Sequence, residues 1–169
     1  MMILPSTTVI TGQPLRISPF HGQILALLFH EFTSTILTAS RSITVTSAAA
    51  SSPMKLLTPV ARGESVWAYT SSFGGGLVAG DQTQLEVKIS GGARCFFGTQ
   101  SSTKVYRNPA ALPCDHSTRA EVKEDSLLVF APEPVQAFAD SHYSQKQEFH
   151  LAPHASLVLL DWFSAGRTA

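Results

Sequence analysis

Charge is scarce in this chain. Of its 169 residues only 14% are Asp, Glu, Lys or Arg, and 12 basic side chains cancel 12 acidic ones. Soluble domains usually carry about 25% charged residues, so a charge-solvated disordered chain and a coiled coil are both excluded. The missing basic excess excludes a polyanion binder, which holds phosphates with surplus Lys and Arg. Cysteine is nearly absent: Cys95 and Cys114 are too few for a disulfide scaffold, and no C-x-x-C spacing offers a structural zinc site. Cys95 sits in the apolar run Ala93 to Phe97 and reads as a small buried side chain in a reducing cytosol. Long hydrophobic runs are missing too. A membrane-spanning helix needs about 20 apolar residues, and the best stretch, Ile24 to Leu37, is broken by His30, Glu31 and Thr33. The first positive side chain is Arg16, which leaves no basic start for a secretory signal. Only Glu31 is acidic before Pro53, which keeps an organellar presequence open. What is present is apolar: 44% of the residues are hydrophobic, enough to fill the core of one domain and to cover a partner.

Two regions differ in pattern. Residues 1–52 read as a poorly ordered or partly helical N-terminal extension. Thr38 to Ser52 is almost wholly Ser, Thr and Ala, with too little large apolar surface to offset the entropy of ordering it. Ile24, Leu27 and Leu28 recur at helical spacing, which predicts a short helix over Gln23 to Phe32. Over residues 53–169 the period becomes two. Leu85, Val87 and Ile89 alternate with Gln84, Glu86, Lys88 and Ser90, placing apolar side chains on one strand face and polar ones on the other. Ala93 to Phe97, Leu127 to Phe130 and Leu157 to Leu160 are short apolar runs bounded by turn residues, as in strands covered on both faces. The expected class is all-β.

A degenerate repeat narrows the architecture. Each apolar run follows an alternating strand, a two-residue turn and a small residue. The small residues are Ala93, Ser126 and Ala155, at spacings of 126 − 93 = 33 and 155 − 126 = 29. Strand pairs stacked in a β-helix-like array produce such a period, each covering the face its neighbour leaves open. Independent hairpins in a sandwich produce a similar one.

The most singular local feature is Phe73-Gly74-Gly75-Gly76-Leu77-Val78-Ala79-Gly80-Asp81. A phosphate cradle is disfavoured, because Asp81 stands where a P-loop needs lysine and strand signal follows instead of helix. Gly75, Gly76 and Gly80 are therefore assigned to a structural turn, with a small-ligand or carbohydrate site on Gly74 to Asp81 as the alternative. Thr99 to Arg107 gathers hydroxyls and two cations, either lining a site or ending a solvated strand. Of six histidines, His150 and His154 are four apart, but Pro153 breaks the helix a zinc pair would need. The histidines are accordingly expected on the surface and in turns. Asp81, Glu133, Asp140 and Asp161 abut apolar runs, where a carboxylate must be paired, hydrated or useful. Asp161 is expected to be buried or to face a water-filled passage. No G-x-S-x-G and no spaced acid, base and nucleophile occur, so no enzyme is indicated.

In order along the chain stand Pro53-Met54-Lys55-Leu56-Leu57-Thr58-Pro59, Gly75-Gly76-Leu77-Val78-Ala79-Gly80-Asp81, Thr99 with Thr103-Lys104-Val105-Tyr106-Arg107, Pro132-Glu133-Pro134-Val135 with Phe138 to Tyr143, and Leu159-Leu160-Asp161-Trp162 with Gly166-Arg167. This series resembles the urease accessory proteins UreD, also called UreH. The resemblance implies a non-catalytic, cytoplasmic maturation factor with a mostly β stack of strands. Its implied partners are urease apoprotein, UreF and the GTPase UreG, and nickel would be a transferred ion moving through an internal water-filled passage. No intrinsic cofactor, nucleic acid or membrane is implied. Asp81, Thr103, Lys104, Tyr106, Glu133 and Asp140 become the candidates for passage or interface roles. Family members continue beyond the position of Ala169 with Arg-Gly-Glu and a second half, so residues 53–169 read as a partial UreD-like domain whose last strands lack partners.

Overall fold

The computed structural model describes residues 6–11, 23–25, 33–40, 44–61 and 63–166. Sixteen strands run through these residues. In chain order they are β1 (Ser6–Thr11), β2 (Gln23–Leu25), β3 (Thr33–Ser40), β4 (Thr44–Ala50), β5 (Met54–Leu57), β6 (Val66–Ser72), β7 (Gly76–Leu77) and β8 (Gln82–Ser90). They continue with β9 (Arg94–Thr99), β10 (Thr103–Val105), β11 (Asp115–Val122), β12 (Leu127–Phe130), β13 (Val135–Ala137), β14 (Ser144–Leu151), β15 (Ser156–Leu159) and β16 (Phe163–Ala165). One 3₁₀ turn, Phe73–Gly75, is the helical element among them. The chain is all-β.

From β6 onward the backbone visits three sheets in rotation. The long sheet has the order β1-β14-β11-β8-β3-β4, with β2 also on β8. The second is β15-β12-β9-β6-β5 and the short third is β16-β13-β10-β7. Successive visits pair in parallel, as they must when a strand returns to its sheet only after a full coil. The result is a three-sided β-solenoid, not a sandwich. The repeat seen in the sequence is its coil. Leu127 pairs with Arg94 on one side and Ser156 on the other, offsets of 127 − 94 = 33 and 156 − 127 = 29. The turn before each small residue carries a left-handed residue in all three coils: Gly92 at φ 82°, Asp125 at φ 56° and His154 at φ 59°. The buried Ser126 ties two coils at this corner, its Oγ accepting from the Ala93 amide at 3.0 Å and donating to the Ser90 carbonyl at 2.9 Å.

The outer face of the long sheet carries an ordered set of charges. Register places Glu86, Arg119 and Glu148 in one ladder and Lys88 beside Glu121 in the next, so opposite signs face each other across the strands and alternate along β8 and β11. Cross-strand pairs of opposite sign favour this register, each by a few tenths of a kcal/mol up to about 1. The inner face holds the core, where Phe97 stacks on Phe130 at 5.3 Å and Phe130 meets Phe149 edge-on at 5.5 Å.

The N-terminal expectations need correction. Gln23–Leu25 is not helical but a strand antiparallel to β8; the remainder of the expected helix lies outside the described residues. Nor do the Ser, Thr and Ala of 33–50 lie apart from the stack. β3 pairs in parallel with β8 from Thr33↔Thr83 to Ala39↔Ile89, β4 pairs with β3, and Leu37 is completely buried in the main core. The expected boundary at 52/53 therefore falls inside the strand assembly. Backbone hydrogen bonds to an existing sheet edge supply the ordering that side chains alone lack. β1 likewise joins the sheet, in parallel with β14.

Candidate functional site at the polar end of the interior

Four inward-facing ladders cross β8, β11 and β14, and they change character along the strands. Toward the C-terminal ends they are Ile89, Val122 and Leu151, then Val87, Ala120 and Phe149. Toward the N-terminal ends they become Leu85, Thr118 and Gln147, then Thr83, His116 and Gln145. A solenoid interior filled for stability alone would stay apolar, because each buried polar group must find a partner or lose free energy.

The polar ladders face a cavity of about 70 Å³, roofed by Thr103 and Val135 of the short sheet and floored by Phe97 and Phe130. The volume admits about two waters at ~30 Å³ each. Its wall is a hydrogen-bonded network. The His116 ring lies between two hydroxyls, Nδ1 at 2.7 Å from Thr83 Oγ1 and Nε2 at 3.1 Å from Thr118 Oγ1. Burial pushes this imidazole down to about 4, so it is neutral at physiological pH. Tyr143 Oη donates to Gln145 Oε1 at 3.0 Å, and Gln145 Nε2 donates to Asp161 Oδ1 at 3.0 Å. The Tyr143 phenol is held above its ordinary value, first by burial and then by nearby acidic groups. Gln147, 2% exposed, turns an Oε1 with no hydrogen-bond partner into this interior. Glu133 and Asp161 are exposed where the cavity opens, and Trp162 is fixed there by a 2.8 Å bond from its indole N–H to the Pro132 carbonyl.

The six candidates divide between this cavity and the corners outside it. Thr103 and Glu133 line the cavity, and the Glu133 amide is anchored on Thr99 Oγ1 at 2.9 Å. Asp161 lines it as well. Asp81 instead closes its own turn, its Oδ2 accepting from the Val78 amide at 2.8 Å. Lys104 and Tyr106 pack over the glycine run, where a Cβ on Gly76 would lie 2.5 Å from the Lys104 carbonyl oxygen and 2.8 Å from the Tyr106 ring. Gly74, Gly75 and Gly80 take φ of 77°, 75° and 86°, a region glycine enters freely. Asp140 pairs with Arg107 at 3.2 Å on the surface.

Sequence reasoning missed Thr83, His116, Thr118, Gln145 and Gln147. His116 in particular departs from the expectation of surface and turn histidines, which His150 on the outer face and His154 in its turn do follow. The signal was available. The coil offsets carry Thr83 to 83 + 33 = 116 and on to 116 + 29 = 145, and they carry Leu85 to Thr118 and Gln147. Cys95 and Cys114 are buried with free thiols raised by burial, Cys114 to about 12, and take no part in this site.

The model of the UreD urease accessory protein family matches residues 34–169. The chain belongs to the UreD family. It is 48% identical over 122 residues to the urease accessory protein UreD of Sorangium cellulosum, covering 72% of this chain and 38% of that protein. To urease accessory protein D of Arabidopsis thaliana it is 38% identical over 130 residues, covering 75% and 44%. A UreD-like urease accessory protein of Schizosaccharomyces pombe is 36% identical over 118 residues, covering 69% and 41%. The chain thus spans about two fifths of the length of these relatives. The family match begins at residue 34, which takes in β3 and β4 and agrees with their place in the long sheet. Among the described residues no helix is long and apolar enough to cross a membrane.

Proposed function

We propose that this chain acts without catalysis in urease maturation, binding urease apoprotein and passing nickel through the polar end of its interior, in a cytoplasmic assembly with UreF and UreG. The observation that supports this reading is the change from apolar to polar ladders inside a solenoid of the UreD family. Glu133 and Asp161 at the opening supply negative charge that concentrates cations. The walls behind them combine apolar side chains such as Leu77, Leu85 and Phe97 with hydroxyls, amides and one neutral imidazole, polar groups that exchange hydrogen bonds with a hydrated ion without adding charge that would trap it. Asp81, Lys104, Tyr106 and Asp140 lie outside the cavity and are assigned to partner contact.

Co-expression of the tagged chain with urease apoprotein tests the reading. Urease subunits, and UreF when it is supplied, are expected to stay with the chain through size-exclusion chromatography. Elution of the folded chain free of urease would contradict it.

A further inference from the structure

The His116 ring lies between two hydroxyls, and a neutral imidazole carries its proton on one nitrogen only. When Thr83 Oγ1 donates to the Asp115 carbonyl 3.4 Å away, its oxygen accepts from His116 Nδ1–H at 2.7 Å. In that tautomer Nε2 presents a lone pair to the Thr118 hydroxyl 3.1 Å away. Rotation of that hydroxyl uncovers the nitrogen. Register places Gln147 directly beside Thr118 on the neighbouring strand, and its buried Oε1 has no partner. An acceptor left so is unfavourable unless water or the hydration shell of an ion satisfies it.

We propose that His116 makes the polar interior selective for first-row transition-metal dications, its Nε2 exchanging the Thr118 hydroxyl for the metal while Gln147 Oε1 holds the ion's remaining water. This rests on the reading of the interior as a nickel passage and adds the group that sorts the cargo. Apart from the Met54 thioether, the other side chains facing the cavity with donor atoms, Thr83, Thr103, Gln145, Asp161 and Glu133 among them, offer oxygen or amide groups. Magnesium and calcium are satisfied by oxygen, and magnesium sheds its water reluctantly. Imidazole nitrogen suits nickel, zinc and copper. One nitrogen among oxygens confers preference without tight capture.

Nuclear magnetic resonance of the full, isotopically labelled chain tests the proposal through its histidine ring signals. Nickel chloride alone is expected to broaden the His116 ring signal. Excess magnesium chloride should leave that broadening in place, and zinc chloride, diamagnetic and of similar ligand preference, should reverse it. Gln147→Leu should raise several-fold the nickel concentration at half-broadening. His116→Gln assigns the signal; should that variant fail to fold, Thr83→Ser assigns it by the shift of its hydrogen-bonded partner. Broadening confined to His142, His150 and His154, or reversal by magnesium, would overturn the proposal. Urease retention by the same preparation is independent. Retention without His116 broadening removes only the sorting role, whereas loss of retention removes the reading beneath it.

Discussion

Three strands, β8, β11 and β14, bury two unlike interiors a few residues apart. At one end Val87, Ala120 and Phe149 form a ladder whose members are all completely buried and make only apolar contacts of the kind that stabilise a core. At the other, Thr83, His116 and Gln145 occupy equivalent positions and turn a hydroxyl, an imidazole and an amide inward. The backbone is the same at both ends, so the difference lies in the side chains alone. Well-packed apolar residues at buried polar positions are often neutral or more stable. The apolar end is explained by what it holds together, and stability alone does not account for the polar end.

Perturbing the apolar end should have the largest effect. Phe149→Ala removes a completely buried ring that meets Phe130 edge-on, and denaturant unfolding should show a loss of about 3–5 kcal/mol. A loss below about 1 kcal/mol would mean that the two ends do not differ in packing.

The polar end should instead respond to pH. The folded chain holds His116 neutral down to about pH 4, whereas the unfolded chain takes up a proton near pH 6.5. Its contribution is thus fully present above about 6.5 and is lost as pH falls toward about 4, by at most about 3 kcal/mol. Denaturation midpoints measured across this window should fall with pH in the parent chain, and His116→Gln should flatten that part of the slope. An unchanged slope would place the ring in water. The smallest effect is expected outside both ends. Arg107→Ala breaks an exposed pair with Asp140 and should change the unfolding free energy by less than about 1 kcal/mol.

Much of the solenoid was legible because its period is written in small residues and apolar runs. Ala93, Ser126 and Ala155 mark the corner where each coil turns, and the structure aligns them at the spacings read from the sequence. Strands β3 and β4 were not legible, since Ser, Thr and Ala dominate their sequence and the backbone pairing that joins them to β8 leaves no mark in a hydropathy pattern. Ile24, Leu27 and Leu28 suggested a helix by their spacing, yet Ile24 lies in β2, paired with β8, while Leu27 and Leu28 lie outside the described residues. The cavity mouth was partly visible through Glu133, Thr103 and Asp161. Its wall was not, because an inward threonine, histidine or glutamine looks outward in a hydropathy pattern. Only the coil offsets, applied residue by residue, bring His116 over Thr83 and beside Gln145.

The central claim is that metal enters the polar end of the interior and not the apolar one. Anomalous diffraction at the nickel K edge, from crystals of the chain soaked in nickel chloride, tests it most directly. The account predicts anomalous density inside the solenoid between Glu133 and His116, with none among Ile89, Val122 and Phe149. Density found only on the outside, at His142, His150 or His154, would contradict it.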